Sequence, residues 1–138
     1  MPPLTRWLIR TALIYLVLAL IAGVLLAARL LWSLPLPTAG LDTVYLHLFM
    51  VGWVTQLIFG VAYWMFPTYS REAPRRNPLL GRIVYGLLNA GLVLRAIAEL
   101  GRTAQGDVWS WLLVLSAVLL WFAAAGFVVN TWGRIRGR

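Results

Sequence analysis

The chain has 138 residues, 62% of them hydrophobic and only 12% charged, with a mean hydropathy of +0.82. A soluble domain of this size exposes too much of its surface to hide so much apolar side chain, so lipid is the expected solvent. The net charge of +8 comes from twelve arginines and no lysine, and cysteine is absent, which excludes disulfides and thiolate-bound metals.

Four apolar stretches are long enough to cross a hydrocarbon core about 30 Å thick, which takes ~20 helical residues. The first, over residues 7–33, follows Arg6 and Arg10. It is longer than the apolar run of a signal peptide, and "AARLLWSLP" is a poor cleavage site, so a retained helix is expected. Pro35 and Pro37 break the chain, Gly40 lets it turn, and Asp42 or Thr43 is the expected cap of a second helix over 41–66. Pro67 closes that helix, and Pro74 and Pro78 keep the next loop non-helical. A third helix is expected over 80–101 and a fourth over 108–132, with Gly101 and Gly106 between them and Asp107 as a cap. The expected fold is all-α: residues 1–138 form one transmembrane domain, an antiparallel up-down four-helix bundle joined by short loops. There is no internal repeat and no length left over for a soluble domain.

Charge orients the bundle. With four crossings, the N-terminus, the loop "PTYSREAPRRNPLLGR" and the tail "GRIRGR" share one side and carry nine arginines, whereas the other side has Arg102 alone. The positive-inside rule then puts both termini in the cytoplasm of a multi-pass protein of a prokaryotic inner membrane. Trp32, Trp109 and Trp111 suit an outer aromatic belt, and Trp7 and Trp132 an inner one. Arginines grouped at helix ends account for the basic balance without nucleic acid, and anionic lipid is at most their second partner.

Ionisable groups inside a span are costly and face the bundle interior or a function. Here they are Arg29, His47, Arg95 and Glu99. His47, the only histidine, lies about 9 Å into the second helix, Arg95 falls at about the same depth on the third, and Arg29 is a turn from the end of the first. Arg95 and Glu99 are spaced to pair at i,i+4, and Gly91 precedes them on the same stripe. At about 100° per residue, Met50, Val51, Val54, Ile58 and Val61 share the face of His47. Such a face suits a flat apolar cofactor such as a porphyrin, with an imidazole above and aliphatic walls below. Gly52, Gln56 and Gly60 form a separate stripe on which another helix can come close. Plainer roles exist for each: a hydrogen bond for His47, mutual neutralisation for Arg95 and Glu99, snorkelling for Arg29.

The run "YLHLFMVGWVTQLIFGVAYWMFP" resembles the second helix of subunit I of the haem–copper oxidase superfamily, including its short, divergent relatives. His47, Gly52, Gly60, Tyr63, Trp64 and Pro67 carry the likeness, over some 25 to 35 residues. The resemblance implies that His47 is an axial ligand of a low-spin haem near the outer face. The family's other haem ligand and its copper-ligand histidines have no counterpart here, so oxygen or nitric oxide reduction within one chain is not expected. What the resemblance leaves is haem b on His47, with its second ligand most economically His47 of a second copy across a twofold axis. Arg29 and Arg95 would then meet the propionates, Glu99 would orient an arginine, and Met50 is an alternative ligand or a packing residue.

Three readings follow. The first is a small membrane cytochrome, homodimeric, passing single electrons to a redox partner or sensing haem or a gas. The second is a non-catalytic accessory or assembly subunit of a larger respiratory membrane complex. The third, a transporter or channel lined by Arg29, Arg95, Glu99 and Gln56, is disfavoured by the scarcity of polar residues in the inner half.

Overall fold

The structure is a computed structural model that describes residues 1–31, 40–66, 77–102 and 106–135. The roles read for Trp32, Pro35, Pro37, Pro67, Arg71, Pro74, Arg75, Arg76, Arg136 and Arg138 lie outside the described residues. The described chain is all helical, and four helices are long and apolar enough to cross a membrane: α1 Pro3–Ala28, α2 Leu41–Met65, α3 Pro78–Gly101 and α4 Asp107–Trp132.

The helix ends depart from expectation in instructive ways. α1 starts four residues early because Pro3 suits the first helical position, where no amide donor is needed. It ends at Ala28 as the bonds tighten to three-residue spacing, from Leu30 N to Ala27 O and from Leu31 N to Ala28 O, each 3.1 Å. Pro78 opens α3 instead of keeping the loop open. Asn77 caps that helix, its side-chain oxygen accepting from the amides of Leu79 (3.0 Å) and Leu80 (3.1 Å). Asp42, Thr43 and Asp107 are not side-chain caps. α2 begins at Leu41 as expected and α4 one residue sooner, at Asp107; Gly40 and Gly106 are their N-caps, and the two aspartates lie in the first turns, where they complement the positive helix ends. Gly40 is required twice over. Its φ is +84°, and a Cβ there would stand 2.4 Å from the carbonyl oxygen of Glu99.

α2 is not a uniform α-helix. Leu48–Thr55, directly after His47, winds as a π-helix, and the Thr55 hydroxyl donates to the carbonyl of Met50, five residues back, at 2.8 Å. Wider turns in mid-helix rotate everything that follows relative to the α-helical ladder, and such segments recur at functional sites. α2 ends at Met65. Phe66 is extended (ψ 144°), the conformation forced on a residue that precedes a proline.

Close contacts define the register between helices. α2 meets α1 with Tyr45 at Gly23, Gly52 at Tyr15, and Gly60 at Leu8 and Ile9. It meets α3 with Gly40 at Glu99, Gly52 at Leu92, and Tyr63 at Gly81. α4 lies on α3, Trp109 at Gly101, Leu119 and Leu120 at Gly91, and Gly126 at Val84. The glycine stripe of α2 therefore does what its spacing predicts. Gln56 between those glycines is fully buried and bonds to Thr11 and the Leu8 carbonyl of α1. Two apolar clusters result. One joins Leu4, Leu8, Phe59, Tyr63, Val84, Leu88 and Ala123, and the other joins Ala19, Val44, Leu48 and Leu92.

α4 reaches α2 through Phe127, stacked on Phe59 at 3.8 Å between centroids and 4° between planes. Among the described residues α1 and α4 form no extended contact. The helices thus pack in the order α1, α2, α3, α4 without closing into a ring. Their outer faces are apolar, Val17, Leu20 and Val24 on α1 and Trp111, Val114 and Trp121 on α4 being exposed. Such surface has no cost in lipid, where helix packing rests on close van der Waals contact and interhelical hydrogen bonds.

Candidate functional site

The site is built from α2 and α3 at the end where Gly40 touches Glu99. His47, half-buried, is oriented by its own helix: Nδ1 is 2.8 Å from the carbonyl oxygen of Thr43. A carbonyl only accepts, so Nδ1 is the donor in this bond, and in the neutral ring the lone pair is then on Nε2. In histidines that bind metal through Nε2, a carbonyl at Nδ1 fixes the tautomer and the ring in this way. Among the described residues no three His, Cys, Asp or Glu side chains gather as an ion cage.

Arg95 and Glu99 pair as their spacing predicts, Nη2 to Oε1 at 3.1 Å. Glu99, only 3% exposed, takes a second arginine on its other oxygen, Arg102 Nη1 at 3.4 Å. Burial of this carboxylate is tolerable because two guanidinium groups of its own helix compensate it. Arg95 still has a spare donor, since its Nε is buried without a hydrogen-bond partner. Such an orphan calls for an acceptor.

The depth match expected between His47 and Arg95 holds. Gly40 is level with Glu99, and Val44 and Leu48 pack in one cluster with Leu92 and Ala96, so the level of His47 falls between Leu92 and Glu99. Their sides match as well. On α3, Leu92 faces α2 and Gly91 faces α4; at about 100° per residue Arg95 and Glu99 lie in the angle between the two. On α2, Tyr45 packs on α1 and Val44 joins the cluster with α3. His47 lies about 160° round from Tyr45, on the flank away from α1.

The aliphatic wall below His47 departs from the single stripe expected. Met50 and Ile58 are 51% and 56% exposed, whereas Val51 packs against the Leu92 cluster and Val54 is half-buried. The π segment is the reason: its residues advance by less than the assumed angle, so the stripe splits into an outward edge and an inward one. Arg29 is exposed just past α1, its amide bonded to the Leu25 carbonyl at 3.1 Å.

Sequence reasoning missed two polar features. Arg134, read as a topology determinant, is 4% exposed; its Nη2 donates to the carbonyls of Phe66 (2.6 Å) and Tyr63 (3.2 Å), with both rings within 6 Å of the guanidinium carbon. It caps the C-terminal end of α2, where a cation also complements the helix dipole. The signal was available, since α2 ends before a proline without a glycine cap and an arginine-rich tail follows α4. The second feature is mid-span: Tyr15 Oη donates to Asn89 Oδ1 (2.9 Å), and Asn89 Nδ2 donates to the Tyr85 carbonyl (2.8 Å), tying α1 to α3.

Comparison with family models, curated proteins and solved structures finds no match to this chain.

Proposed function

We propose that this chain is a haem b-binding membrane protein of the cytochrome kind, with His47 as axial ligand. The observation that carries the reading is the bond from His47 Nδ1 to the Thr43 carbonyl, which leaves Nε2 as the coordinating nitrogen. Haem would supply one-electron chemistry, its potential set by axial ligands and nearby charge. The protein's own part is to hold the imidazole and to offer cationic groups at the same depth. Arg95 has an unsatisfied Nε for a propionate while Glu99 orients its terminal nitrogens. Arg29, exposed at the same end, is the second candidate. Met50 and Ile58 present apolar surface for a macrocycle or a second copy.

With one histidine per chain, the second ligand comes from outside it, and His47 of a twofold-related copy is the simplest source. The contacts that run in opposite order along neighbouring helices support an antiparallel, up-down bundle. The arginine distribution supports cytoplasmic termini in a prokaryotic inner membrane. Absorption spectra test the reading. Purified protein should show a Soret band that shifts on reduction and is lost in His47→Ala, and a colourless protein that takes up no added haem would refute it.

A second reading has an observation of its own. Only 11% of the most apolar stretch of α4 is buried, against 33% for α2 and α3, and Trp111, Trp121 and Phe122 stand exposed on it. That face suits the flank of a larger respiratory complex to which this chain is an accessory subunit. Copurification with unrelated membrane subunits, at fixed stoichiometry and without haem in this chain, would favour it.

A further inference from the structure

The opposite end of the bundle has a crevice that the His47 site does not use. It measures about 110 Å³ and lies between the first turns of α1 (Pro2, Leu4, Trp7) and α3 (Pro78, Arg82), with Tyr63 of α2 in its lining. Its walls are mostly apolar, with the Arg82 guanidinium and the Tyr63 phenol as polar side-chain groups, and among the described residues no carboxylate lines it. Neither α1 nor α3 has an acidic residue in its first turn, so among the described residues no carboxylate of those turns offsets Arg82 or the positive helix ends. Trp7 is 52% exposed with its ring 6.1 Å from that of Tyr85, and tryptophan at a span end favours the boundary between headgroups and chains. Arg6 and Arg10 are exposed on the same helix.

We propose that this crevice binds an anionic phospholipid, its phosphate on Arg82 and the start of an acyl chain against Leu4, Trp7 and Pro78. Charge complementarity selects the occupant. A zwitterionic lipid would bring a cation to a surface already basic, and free phosphate would leave the apolar walls unused. The inference rests on the membrane reading and is independent of His47, so the two fail separately.

The test is thermal unfolding of the full chain in mild detergent with added phosphatidylglycerol, phosphatidylcholine or inorganic phosphate. Phosphatidylglycerol should raise the midpoint saturably and the other two should not. Arg82→Gln should weaken the phosphatidylglycerol response about fivefold, the worth of one arginine at an anionic surface, and Arg82→Lys should keep most of it. Equal responses to both lipids, a full response to phosphate alone, or an Arg82→Gln titration like wild type would overturn the proposal. Native mass spectrometry of wild type released from mixed vesicles gives a reading that needs no variant: retained phosphatidylglycerol supports the site, and equal retention of both lipids refutes it.

Discussion

The two ends of the bundle each bury charge, and they do so in opposite ways. At the His47 end, Glu99 is compensated by Arg95 and Arg102 from its own helix. Among the described residues the Arg95 Nε has no hydrogen-bond partner, and Nδ1 is the His47 nitrogen that is bonded. At the other end, Arg134 reaches across from beyond α4 to the last carbonyls of α2 and lies against two aromatic rings. The first network is local to one helix and has hydrogen-bonding capacity to spare. The second spans helices and spends its cation on backbone. The first leaves a ring nitrogen suited to a ligand, and the second ties the residues after α4 to the end of α2.

Removing the fastening should have the largest effect. Arg134→Met deletes a charged donor from two buried carbonyls and should cost about 2–3 kcal/mol in unfolding of detergent-solubilised protein. Arg134→Lys should restore less than half, because an ammonium cannot match the planar stacked guanidinium. A loss near zero would erase the contrast. Glu99→Gln should cost less, about 1–2 kcal/mol, since Arg102 is 62% exposed and Arg95 22%, and solvent takes over part of their compensation. Its sharper consequence is on the haem reading, where freeing Arg95 should move the midpoint potential while the Soret band stays. Gln56→Leu, midway between the ends, should cost only about 1 kcal/mol, since it loses two interhelical hydrogen bonds to α1 at about 0.6 kcal/mol each in a membrane. A much larger loss would make the middle of α2 a fastening too.

Much of this architecture was legible in the residues. Lipid as solvent makes apolar length nearly sufficient to find a span, and all four appear, with three of their eight ends as expected and the other five displaced by one to five residues. The Arg95–Glu99 pair follows from spacing alone. So does the burial of Gly52, Gln56 and Gly60, because small residues one turn apart invite a neighbour. The π segment was not legible: Leu48–Thr55 is as apolar as any α-helical run, and the two windings differ in which carbonyl each amide selects. That difference split the wall predicted below His47. The capping role of Arg134 was hidden for another reason, since positive charge near a span end satisfies the topology rule whether it is solvated or buried. The bond that orients His47 depends on ring rotation, which spacing does not specify.

The central claim is that His47 Nε2 coordinates haem iron. The most direct measurement is haem titration of His47→Gly with and without free imidazole, read by absorption beside the wild type. The account predicts a Soret band in the wild type, its loss in the variant and its return when imidazole fills the space left by the side chain. A variant that binds haem as the wild type does, or a wild type that binds none, would contradict it.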